Sequence, residues 1–302
     1  MSIQHRAAAF ESIEALTAAM QGQEYFADHN LAAAIFLATS MGKPLLLEGE
    51  PGVGKTEVAK VLAALAETPL IRLQCYEGID VHQAIYQWDF ARQMLHIRML
   101  ESHHNPSDIS RRIYGEEFLI KGPLLRALEP TDGTPAVLLI DEIDRADDEF
   151  EALLLEALSD FQVSVPEIGT IRAPTPPVVV ITSNRTREVH DALKRRCLYQ
   201  WIDYPSAAAE RRIVMAKVPE ASPMLAAKVT RFVQELRRAD LYKVPGVAET
   251  IDWARALVHL GYTDLTAAAL MESIGTLLKY QEDMKWSRTA DFAQLMDLVT
   301  DA

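Results

Sequence analysis

Short runs of consecutive apolar residues alternate along the first two thirds of the chain with stretches whose apolar positions recur every three or four residues. Leu45 to Leu47, after Pro44, form one such run, and Val58, Val61, Leu62 and Leu65 follow at helical spacing. Val137-Leu138-Leu139-Ile140 and Val178-Val179-Val180-Ile181 are four-residue apolar runs that suit strands buried on both faces of a parallel sheet. A second strand is expected near Leu70 to Gln74, and a fifth around Tyr199 to Ile202. Phe161 to Thr170, with Val163 and Val165 alternating before Pro166 and Gly169, reads as a hairpin. The pattern therefore predicts an α/β fold. After Tyr204-Pro205 it turns wholly helical, which places a domain boundary there and divides the chain into 1–204 and 205–302. Ser222-Pro223 offers an N-cap and first-turn start, with Leu225, Val229, Phe232, Val233 and Leu236 on one apolar face. Ile251, Ala254, Leu257 and Val258 mark a second helix, which Gly261 can terminate. The last twenty residues, with Trp286 and Phe292, read as a helix packed on this part or on a neighbour.

Chemistry enters at the loops after the strands. Gly49, Glu50, Pro51, Gly52, Val53, Gly54, Lys55 and Thr56, followed by Glu57, fill a G-x-x-x-x-G-K-[ST] template between a predicted strand and a predicted helix. Such glycines let backbone N–H groups turn toward phosphates, the helix N-terminus adds positive potential, and Lys55 supplies a mobile cation. Thr56 is a candidate Mg²⁺ ligand through its hydroxyl. Val137 to Ile140 runs into Asp141-Glu142-Ile143-Asp144, at the carboxyl end where open α/β sheets bind ligands. Asp141 is expected in the Mg²⁺ shell and Glu142 as the base that polarises an attacking water. The strand ending in Thr182-Ser183-Asn184 offers the Asn184 amide to hold that water from the other side. Asp191 to Cys197 reads as a short helix closing on Lys194, Arg195 and Arg196, an arrangement the helix dipole alone also favours.

Composition narrows the classes. The 302 residues leave room for a nucleotide-binding domain and a smaller helical one. Lys and Arg number 30 against 43 Asp and Glu, a net charge of −13, which disfavours a general nucleic-acid binder. Cys75 and Cys197 are far apart without a C-x-x-C pattern and are most simply buried thiols. Met1 to Arg6 lacks the apolar core of a signal peptide, and Leu31 to Met41 is too short and too interrupted to span a bilayer, so a cytoplasmic location is expected and a membrane is not indicated. His103-His104 are an adjacent pair without clear metal-ligand spacing.

In this order the residues resemble the AAA+ ATPases, specifically the MoxR group. Gly49 to Thr56 is similar to Walker A, Asp141-Glu142 to Walker B and Asn184 to sensor 1. The strings LLLEGEPGVGKTE, LLIDEIDRAD and VPGVAETIDWARAL resemble the branch called CoxD-like. The resemblance implies a three-layer αβα domain with a five-stranded parallel sheet and a smaller all-α lid. It further implies hydrolysis of ATP with Mg²⁺ and a homo-oligomeric ring, expected to be a hexamer. In such a ring Arg196, or its neighbour Arg195, would act as an arginine finger toward the next subunit. The branch implies a protein client, a molybdenum hydroxylase such as carbon monoxide dehydrogenase, whose active site is matured, and a von Willebrand A partner protein. Val81 to Met99 resembles an insertion in the second helix, with Trp88, Phe90 and Met94 on its loop, and this insert and the hairpin would project toward the pore. One departure stands out: where relatives carry Gly-x-Ser-x-Arg at the start of a lid helix, this chain reads Gly246-Val247-Ala248-Glu249-Thr250, leaving Arg255 as a substitute. A nucleic-acid motor on the same engine and a P-loop small-molecule kinase are the alternative readings.

Overall fold

The computed structural model describes residues 10–100, 113–130, 134–287, 289, 292, 294 and 296. Five strands form the main sheet: β1 (Leu45–Gly49), β2 (Leu70–Gln74), β5 (Val137–Asp141), β8 (Val178–Ser183) and β9 (Leu198–Ile202), in the order β2-β5-β8-β1-β9. The β2–β5, β5–β8 and β8–β1 pairings are parallel, and helices occupy the crossovers that parallel pairing requires. Every residue of β1 and β5 is buried, as expected for strands covered on both faces, whereas edge strand β2 alternates. Ile71 and Leu73 of β2 are buried and Arg72 is exposed, so Arg72 and Gln74 share the opposite face of the strand. The helix Lys55–Ala66 buries Val58, Val61 and Leu62, the residues whose spacing predicts it.

The chain separates into two compact units. The first comprises Met1–Leu16, His29–Glu48 and Thr56–Gln200; the second comprises Thr17–Asp28, Gly49–Lys55 and Trp201–Ala302. The core of the first joins Leu46, Leu73, Leu138, Ile140 and Ile181 from the strands to Phe150 and Leu154 of the helix Asp148–Ser159. Between β2 and β5 lies a small antiparallel pair, β3 (Tyr86–Trp88) and β4 (Leu119–Lys121), with the helix Phe90–Leu100 between them in sequence. Trp88 is thus on a strand, edge-on to Tyr86 and Tyr114, while Phe90 and Met94 are on a helix. This corrects the expectation that all three stand on a loop. Three-residue strands carry too little alternation to be read from sequence. The expected hairpin is present as β6 (Gln162–Val165) and β7 (Gly169–Arg172), with Val163 and Val165 buried.

The second unit's C-terminal run contains the helices Ala207–Lys217, Pro223–Leu236, Val247–His259, Ala267–Leu277 and Gln281–Trp286. Ser222 caps the second of these by accepting the Leu225 N–H at 3.0 Å, and Gly261, at φ +81°, follows the end of the third. Phe232, Trp253, Leu257 and Leu270 are fully buried at its centre, and the Trp253 indole N–H donates to Ser273 Oγ at 2.7 Å. Phe292 packs on Phe232 and Trp286. His103 and His104 lie outside the described residues. Among the described residues, no group of three or more His, Cys, Asp or Glu could hold a metal ion, and no helix is long and apolar enough to cross a membrane.

Candidate functional site

Two clusters carry the candidate chemistry, one in each unit, joined by the Lys55–Thr56 peptide bond. In the second unit, Gly49–Lys55 folds back on its own lysine: Lys55 Nζ donates to the Gly49 and Glu50 carbonyls, each at 2.7 Å. Gly52 and Gly54 take φ +78° and +93°, a left-handed region that favours glycine. The loop also meets the helix Val247–His259, whose Val247 N–H donates to the Gly52 carbonyl at 3.0 Å. A β-carbon on Gly246 would come within 2.8 Å of the Pro51 carbonyl oxygen, so glycine there is a matter of space. Val53 is buried, and Glu50, Pro51 and Gly52 are exposed.

In the first unit, Thr56 Oγ1 donates to Asp141 Oδ1 at 3.0 Å. Thr182 Oγ1 donates to the same oxygen at 2.6 Å and accepts the Glu142 N–H at 2.9 Å. Arg72 approaches Asp141 Oδ2 with Nε at 3.0 Å and Nη2 at 2.6 Å. Glu142 takes φ 58°, ψ 51°, opening a short 3₁₀ turn. Its Oε2 accepts from Gln74 Nε2 at 3.1 Å and Arg145 Nη1 at 3.2 Å. Glu57 pairs with Lys60 at 2.9 Å.

Asp144 ties the acidic turn to the end of β8. Its carboxylate accepts the Asn184 N–H at 3.1 Å, the Thr186 N–H at 2.9 Å and the Thr186 hydroxyl at 2.6 Å. Burial alone would raise its pKa, but the hydrogen bonds from Thr186 and Asn184 outweigh burial and hold it below the usual value. Asn184 is thereby fixed through its backbone, half-buried beside the buried Thr182 and Ser183. Arg195 caps the helix Asp191–Lys194, and the exposed Arg196 donates through Nη1 to the Leu155 carbonyl at 2.6 Å.

Several residues at this end of the sheet have no counterpart among the sequence candidates. Arg72, Gln74 and Thr182 come next to them through strand register, which pairs Gln74 with Asp141, and Asp144 through the short turn that follows β5. The available signal was the alternation Ile-Arg-Leu-Gln, which places two polar heads on one face of a strand. Glu48, 2 % exposed, accepts from Tyr199 Oη at 3.1 Å, and burial first, then this carboxylate, raises the Tyr199 pKa. Both thiols are pushed up to about 12, chiefly by burial.

The departure at Thr250 has a structural account. Thr250 is fully buried, its Oγ1 lying 2.7 Å from Glu210 Oε1. Arg237 spans the two Glu210 oxygens at 2.7 and 2.8 Å and donates to the Pro245 carbonyl at 2.8 Å. Arg255 is exposed, near Asp252 and the Lys217 carbonyl. Thr250 therefore belongs to a buried ion-pair network. Glu210→Ala would leave Arg237 charged and buried, and is expected to lower stability by about 3–5 kcal/mol. Urea unfolding of the variant measures this, and an unchanged midpoint would contradict it.

A family model for the AAA domain (dynein-related subfamily) matches residues 44–197, just over half of the chain. The chain belongs to this family. The matched span of this AAA domain contains the glycine loop, the acidic strand end, Asn184 and both arginines. An uncharacterized protein of Staphylococcus haemolyticus is 24% identical over 238 residues, covering 76% of this chain and 80% of that protein. The denitrification regulatory protein NirQ of Stutzerimonas stutzeri is 24% identical over 219 residues, covering 69% of each. Among solved structures, a mutant of the Thermotoga maritima RuvB aligns at TM-score 0.47 and 16% identity, covering 87% of this chain and 72% of that one. The Thermotoga maritima RuvB Holliday junction branch migration motor aligns at TM-score 0.44 and 15% identity, covering 89% of this chain and 72% of that one.

Proposed function

We propose that this AAA domain protein is a MoxR-type ATPase that hydrolyses ATP with Mg²⁺ to remodel a protein client. The observation that carries the reading is the 3.0 Å contact of Thr56 Oγ1 with Asp141 Oδ1, with Glu142 next in the chain. A hydroxyl and a carboxylate in hydrogen-bond contact are the oxygen donors that Mg²⁺ takes when phosphates and water complete its shell. The donor set thus fits the ion. When bound, Mg²⁺ neutralises charge on the β- and γ-phosphate oxygens.

The chain's own residues have separable tasks. Backbone N–H groups of Gly49–Lys55 and the Lys55 ammonium bind phosphate, for which Lys55 must leave the Gly49 and Glu50 carbonyls. Asp141 orients the Thr56 hydroxyl, and these two side chains would hold Mg²⁺. Glu142 takes a proton from the attacking water once Gln74 and Arg145 no longer hold its carboxylate. Asn184, set in place by Asp144, positions the water from the opposite side. Arg196 of one subunit serves the nucleotide of the next in a hexameric ring, with Arg195 as the neighbouring cation.

The proposed client is a molybdenum hydroxylase, as in the CoxD-like branch, with a von Willebrand A protein as partner. The likeness to NirQ, a regulatory protein by name, supports a role in controlling another activity. The helix Phe90–Leu100 supplies a surface for the client, because Phe90, Met94 and Met99 are 70%, 54% and 75% exposed. The net charge of −13 weighs against the nucleic-acid motor. A kinase needs a hydroxyl site where Glu142 and Asn184 here would hold a water.

Deleting the gene is expected to leave the hydroxylase folded and assembled but inactive, its metal or sulfur incomplete. Restoring a Phe90→Ser, Met94→Ser double variant should leave ATP hydrolysis intact and the hydroxylase still inactive. Elemental analysis of hydroxylase purified from each strain is the measurement. A fully loaded, active enzyme from the deletion strain would end the client assignment.

A further inference from the structure

Arg72 stands on edge strand β2, two residues before Gln74, and its guanidinium reaches across to β5. There Nε lies 3.0 Å and Nη2 2.6 Å from Asp141 Oδ2, and Nη2 also contacts Gln74 Oε1. The other carboxylate oxygen, Oδ1, already accepts from Thr56 at 3.0 Å and Thr182 at 2.6 Å. An ionised carboxylate offers about four acceptor positions, so these four donors fill it. The donors differ in how readily they can leave. Thr182 is buried in β8 and Thr56 is in the first turn of a helix, so their short side chains stay close to the carboxylate. The Arg72 side chain is 54% exposed while that of Asp141 is 4% exposed, so the guanidinium can swing into water and the carboxylate cannot.

We propose that Arg72 is a resident counter-cation of Asp141, which must withdraw from Oδ2 before Asp141 can orient the water shell of a divalent cation, and which thereby sets the affinity of the site for Mg²⁺. The inference rests on the reading of Asp141 as a metal-shell residue. Arg72 opposes a second cation in two ways: it occupies both acceptor positions of Oδ2 with charge-assisted hydrogen bonds, and it places a like charge beside the ion. The sign follows. Loss of Arg72 must tighten metal binding, whereas loss of an arginine that merely propped Asp141 in place would loosen it. Removing a like charge from beside the ion is expected to raise metal affinity by about tenfold or more. Arg72 is in this sense a positioning residue, acting on the site through Asp141.

The test uses Mn²⁺ as a paramagnetic probe, with a non-hydrolysable ATP analogue kept below the protein concentration. Free Mn²⁺ is read by electron paramagnetic resonance for the wild type, Arg72→Met, Arg72→Lys and Asp141→Asn. The expected order of affinity is Arg72→Met tightest, then Arg72→Lys, which keeps the charge but gives up the two-pronged contact, then the wild type, with Asp141→Asn weakest. Thermal unfolding verifies each variant. If Arg72→Met does not fold, Arg72→Lys decides alone, since it must bind Mn²⁺ more tightly than the wild type. Affinity equal to or below wild type in the arginine variants, with binding weakened in Asp141→Asn, would overturn the role of Arg72 and leave the nucleotide site standing. Mn²⁺ binding indifferent to Asp141→Asn would overturn the metal-shell reading and this inference together.

Discussion

Glu142→Gln protein is expected to hold ATP as the wild type does while its rate of phosphate release falls by about 10²–10⁴-fold, the usual share of a positioned general base. The amide keeps the shape of the side chain and loses the proton acceptor, and Asp141 and Thr56 are untouched at 3.0 Å from each other. Lys55→Ala should fail differently. It removes the cation of the glycine loop, so nucleotide should not be retained at all. Filter retention of labelled ATP and colorimetric phosphate release separate the two failures. Hydrolysis by Glu142→Gln at the wild-type rate would remove Glu142 as the base, and full retention by Lys55→Ala would remove the loop as the phosphate site.

The second large effect is expected at Arg196. An arginine finger supplied from a neighbouring subunit is worth about 10³-fold or more in rate, whereas a cation that only favours the end of a helix contributes about 0.3–1 kcal/mol of stability. Arg196 is exposed and rests on the Leu155 carbonyl at 2.6 Å, a contact that a long side chain on the surface can exchange for a partner's phosphate. Mixing distinguishes the two roles. Lys55→Ala subunits lack a working pocket but keep Arg196, and Arg196→Ala subunits keep the pocket but lack the finger. Verified mixed rings should regain ATPase activity that neither parent has. No recovery, or an Arg196→Ala protein as active as the wild type, would reject the assignment.

Strands covered on both faces were easy to read, because Leu45 to Leu47, Val137 to Ile140 and Val178 to Ile181 leave no polar face to assign to solvent. Helix ends were readable where a single residue does the capping, as at Ser222 and Gly261. What stayed hidden depends on contacts between residues far apart in sequence. Arg72 meets Asp141 only through the register of β2 on β5, and the polar groups around Thr250 come from three different helices or their ends. The glycine loop could be read because its residues are consecutive. The donors that fill the Asp141 carboxylate could not, because they come from positions 56, 72 and 182.

The left-handed backbone of Glu142 sets the residue proposed as the base against the fold that holds it. A non-glycine residue in that region costs of order 1–2 kcal/mol, and glycine would relieve it. A mutant library sorted only for heat resistance would therefore favour glycine at 142, and its hardiest members would be ones that had discarded their catalyst.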